Sequence, residues 1–66
     1  MTRQDVESDL EERFLNKYVR YTAITDVEFH GKVDSIAFYN ELVIFRIGDE
    51  NYKCDLEWFT ENTILL

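Results

Sequence analysis

The chain has 66 residues, 45% of them hydrophobic and 15% aromatic, and fourteen acidic against seven basic side chains give it a formal charge of -7. That length holds one core, read as a single domain over 1–66, and a fold this small buries only about 60% of its unfolded surface. A lone cysteine, Cys54, and a lone histidine, His30, exclude an internal disulfide and a conventional zinc site, so apolar packing has to hold the fold.

The first segment reads as an amphipathic helix over about residues 5–18. Val6, Leu10 and Phe14 recur every four residues, with Tyr18 continuing the stripe. Thr2-Arg3-Gln4-Asp5 resembles a capping box. Asp5, Glu7 and Asp9 lie early and Arg13, Lys17 and Arg20 late, which suits the helix dipole, and Asp9 with Arg13 forms an i,i+4 ion pair. From about residue 21 the period changes to two. Tyr21–Phe29 is a first strand, closed by a bulge or turn at Gly31, and Lys32–Phe38 is a second. Tyr39-Asn40-Glu41 turns the chain into Leu42–Ile47, apolar on both faces and so expected to be covered on both. Gly48-Asp49-Glu50 is a hairpin turn into Asn51–Leu56, where Tyr52, Cys54 and Leu56 share one face. Glu57–Asn62 suggests a helical turn carrying Trp58 and Phe59, and Thr63–Leu66 a closing strand. The expected core is Leu10, Phe14, Val33, Ile36, Val43, Phe45, Ile47, Tyr52, Cys54, Leu56 and Phe59.

The fold class is therefore α+β, an N-terminal helix packed on a small, strongly bent antiparallel sheet of four to five strands. This element order resembles an SH3-like barrel, and a helix ahead of five strands resembles its Sm-like variant. Gly31-Lys32-Val33-Asp34-Ser35-Ile36 stands where such barrels begin a long bent strand. The Sm-like resemblance implies rings that bind RNA, with Tyr39, Asn40 and Lys53 in the binding roles. The charge opposes it, because Lys32, Arg46 and Lys53 are interleaved with Asp34, Asp49, Glu50 and Asp55.

No enzymatic apparatus is legible. Cys54 alternates with core residues and reads as a small buried hydrophobe, and His30 reads as a turn residue. Asp49-Glu50-Asn51 lacks calcium-loop spacing, and neither glycine belongs to a phosphate-cradling motif. No cofactor or metal is expected. The net charge opposes anionic membranes and direct contact with nucleic acid, and suits a basic protein partner. No apolar run approaches the roughly 18 residues of a membrane span. Met1–Leu10 does not read as a signal peptide, and an unpaired cysteine fits the cytoplasm. The expected function is a protein-interaction or assembly module that also self-associates, through the helix or the terminal strand. Its candidate partner-binding residues are Trp58, Tyr39, Glu57, Glu61, Asp49 and Glu50. The alternative is an inhibitor whose carboxylates, with Glu7, Asp9, Glu11, Glu12, Asp55 and the acidic candidates above, mimic a phosphate track.

Overall fold

The computed structural model describes residues 2–66. Thr2 starts helix α1 (Arg3–Phe14) with a complete capping box: its hydroxyl accepts from the Asp5 amide, and the Asp5 carboxylate accepts from the Thr2 amide. The helix stops at Phe14 and does not run on to Tyr18. Leu15 caps it and Asn16 adopts a left-handed φ of 63°, a conformation asparagine tolerates just past a helix end. Tyr18 therefore opens a strand, and its ring is exposed.

The remaining elements are β1 (Tyr18–Thr22), β2 (Glu28–Tyr39), β3 (Leu42–Ile47), β4 (Glu50–Asp55), helix α2 (Leu56–Asn62) and β5 (Thr63–Leu65). They form one open antiparallel sheet in the order β4-β3-β2-β1-β5. The strand expected at Tyr21–Phe29 is in fact a hairpin. Asp26 turns at φ 68°, Ala23 donates to the Val27 carbonyl at 2.9 Å, and Ile24 is left 80% exposed at the tip. β-branched residues gave this tip the look of a strand. At the next turn, Asn40 and Glu41 both take positive φ, the geometry of a tight two-residue hairpin.

β2 is the backbone of the fold because it pairs on different edges along its length. Glu28–Lys32 pairs with β1, whereas Val33–Tyr39 pairs with β3 across a register shift at Val33/Ser35. Gly31 lies inside this continuous strand instead of ending one. A Cβ there would stand 2.6 Å from Ile47 Cγ2, so glycine lets β3 fold closely over β2. Where β2 leaves β1, its free edge is covered from the N-terminal side. The Phe38 amide donates to the Glu7 carboxylate at 2.9 Å, Arg3 Nε donates to the Phe38 carbonyl at 2.7 Å, and Val33 exchanges backbone bonds with Asn16 and Lys17.

α1, α2 and the inner face of the sheet enclose Leu10, Phe14, Val19, Tyr21, Val33, Ile36, Val43, Phe45, Ile47 and Phe59. Phe59 sits at the centre, with ring centroids 5.0 Å from Phe14 and 4.8 Å from Phe45. Val19 and Tyr21 join this core because β1 starts earlier than the period suggested. Tyr52 and Cys54 are only half-buried, since β4 is an edge strand, and Leu56 is half-buried at the start of α2. β3 is interior to the sheet but covered on one side: Val43, Phe45 and Ile47 are buried, while Ile44 and Arg46 are exposed.

Candidate functional site

A concave surface lies between the two helices. Asp55 caps α2, its carboxylate accepting from the Trp58 amide at 2.7 Å, which turns the chain sharply out of β4 and across the core. Phe59 then points inward, while Leu56, Glu57 and Thr60 face α1. The groove between them has a volume of about 720 Å³. Val6 and Leu10, one turn apart on α1, form its floor with Leu56. Asp5, Asp9 and Glu57 stand at its rim. Arg13 also lies there, but its guanidinium is 3.4 Å from the Asp9 carboxylate and 5.0 Å from the centre of the Phe14 ring. The groove is thus apolar below and acidic above.

A smaller hollow, of about 340 Å³, lies on the opposite flank of α2 and is lined by Tyr21, Tyr52, Cys54 and Trp58. Trp58 is half-buried there, and its indole N–H donates to the Thr22 carbonyl at 3.1 Å, tying α2 to the end of β1. Burial pushes the Tyr21 hydroxyl and the Cys54 thiol above their ordinary pKa values; the proximity of the two groups raises Tyr21 further and partly offsets the rise at Cys54. A thiol shifted in this direction stays protonated at neutral pH and is a poor nucleophile. His30 is exposed and pairs with Arg20 in the β1–β2 ladder, whereas Cys54 lies against Tyr21 on the inner face, so the two do not meet.

The six candidate residues fall into three places. Trp58, Glu57 and Glu61 lie together on α2, where with Asp55 they line a shallow depression. Asp49 and Glu50 are at the β3–β4 turn, with the Arg46 guanidinium 3.6 Å from Asp49. Tyr39 is 53% exposed at the β2–β3 turn, with the Arg3 guanidinium 5.1 Å from its ring centre. Of these, Glu57 alone reaches the groove between the helices. Its other walls were not identified from sequence, although Val6 and Leu10 already marked the apolar stripe of α1. What the sequence did not signal is that Val6 stays half-exposed beside α2 while Leu10 and Phe14 are covered.

Among the described residues, no cluster of three or more His, Cys, Asp or Glu is placed to hold a metal ion, and no helix is long and apolar enough to cross a membrane. Comparison with protein-family models, curated proteins and solved structures finds no match to this chain.

Proposed function

We propose that this chain is a small acidic protein-interaction module that works by surface complementarity and performs no chemistry itself. One observation carries the reading: a groove with an apolar floor of Val6, Leu10 and Leu56 is left open between two helices whose outer surfaces are acidic. Val6 and Leu56 are half-buried and offer the apolar surface, with Leu10 closing the floor beneath them, and concave apolar sites with a few polar groups at the margin are where binding occurs. The sheet order and the helix placed just before β5 support reading the scaffold as an SH3-like barrel with the N-terminal helix of the Sm-like variant. Self-association has support of its own in the exposed Ile64, Leu65 and Leu66 at the β5 edge.

Mimicry of nucleic acid requires one continuous track of carboxylates. Glu7 is turned onto the Phe38 amide, and Asp9 and Asp49 are paired with Arg13 and Arg46. These engaged carboxylates interrupt such a track and favour the groove. Affinity capture with the tagged protein tests it, using Thr60→Trp to fill the groove from an exposed position. Partners retained in high salt and lost with Thr60→Trp are expected. Partners that free DNA displaces and that ignore Thr60→Trp would replace this reading with mimicry.

A further inference from the structure

Resting on the interaction-module reading, we infer that the groove between α1 and α2 receives a helical segment of another protein, apolar on one face and flanked by lysine or arginine. The shape points to a helix. Val6 and Leu10 repeat along α1 at one-turn spacing and Leu56 faces them, so the floor is a trough parallel to a helix axis. Both walls are helices, whose backbone groups are bonded internally. They offer no row of free N–H and C=O groups to an added strand. Side chains must supply the contact, as when an amphipathic helix lies in an apolar groove.

The charge selects among helices. Asp5, Asp9 and Glu57 line the rim, α2 has no basic residue, and Arg13 and Asp9 are paired with each other, which leaves Asp5 on one wall and Glu57 on the other to meet an incoming cation. An incoming Lys or Arg on either flank of the apolar face meets a carboxylate, which favours both register and rate of encounter. A second copy of this chain is a poor occupant, because its α1 would bring a second set of the same carboxylates against the first. A small polar ligand is disfavoured too, since no buried polar group converges on the floor to orient it.

The test uses the intact, isotope-labelled chain and three synthetic peptides: a leucine–lysine amphipathic helix, its leucine–glutamate counterpart, and oligolysine of equal charge. The leucine–lysine helix is expected to move the amides of Val6, Leu10, Leu56 and Thr60. It should bind at least about tenfold more weakly to Thr60→Trp and to Glu57→Lys, a difference of roughly 1.4 kcal/mol. Both positions are exposed, and circular dichroism would verify that each variant folds. Equal binding of oligolysine or of the leucine–glutamate helix would overturn the inference, as would shifts that map elsewhere. Should the peptides fail while capture of protein partners still depends on Thr60, the module reading stands and the basic helix falls. Should both fail, the groove is not the binding surface.

Discussion

At the scale of single residues, the close contact at Gly31 sets how near β3 can lie to β2. The missing Cβ lets Ile47 lie against the β2 backbone at the point where that strand changes partners. Gly31→Ala should therefore destabilise by about 1–3 kcal/mol, from overpacking against Ile47 together with a backbone φ of 157° that side chains rarely adopt. Ile47→Leu moves the branch off Cβ and should recover part of that loss. Denaturant unfolding of the two single variants and the double variant checks this, and simple additivity would show that the contact is not the cause. The glycine was visible in the sequence as a break, but its role was not. A lone glycine in an apolar stretch reads equally as a turn or as a close approach, and only the register across β3 separates the two. The same holds for the groove. Val6 and Leu10 were legible as an apolar face, whereas Leu56 alternates cleanly with Cys54 and so read as the last strand residue, not the first of α2.

At the scale of elements, α1 is attached to the sheet by a clasp of polar groups on one backbone residue. Arg3 and Glu7, neighbours on the same helix face, take the carbonyl and the amide of Phe38. Glu7→Ala would leave that partly buried amide without a partner, at a cost of about 1–3 kcal/mol. Hydrogen exchange should then accelerate at Phe38 and along α1 more than at β3. Uniform acceleration would mean that Glu7 contributes only to global stability. Local chemistry made most elements readable: the capping box at Thr2, the hairpin turns at Asn40-Glu41 and Gly48-Asp49, and the period of two in β4. The ends of α1 and β1 were harder, because Tyr18 satisfies a helical stripe and a strand equally well. Asn16 decides the matter by its left-handed backbone, a preference too weak to override periodicity in a sequence.

At the scale of the whole molecule, stability should respond to alkali. Burial holds the pKa values of Tyr21, Tyr52 and Cys54 above their ordinary levels. The neutral form is the one that folds, and the unfolded chain ionises first. Their contribution is therefore fully present below the unfolded values and is lost as pH rises toward the folded ones. The window opens at about pH 8.5 for the thiol and about 10 for the phenols. The denaturation midpoint is expected to hold steady from about pH 6 to 8 and to fall above about 8.5, with the onset delayed to near 10 in Cys54→Ala. A midpoint unchanged at about pH 11 would show that these groups are hydrated in the native state.

The way α1 lies along β2 also bears on how the protein behaves in a crowded solution. Strands with unsatisfied backbone edges are templates for one another, and a chain with 45% hydrophobic residues would be prone to polymerise through them. Here the second half of β2 is occupied by Arg3, Glu7, Asn16 and Lys17, and the outer strand β4 carries Glu50, Lys53 and Asp55, side chains that discourage stacking. The outer edge of β5 is three residues long. That is enough to guide one specific pairing and shorter than the roughly six-residue segments from which amyloid spines are built.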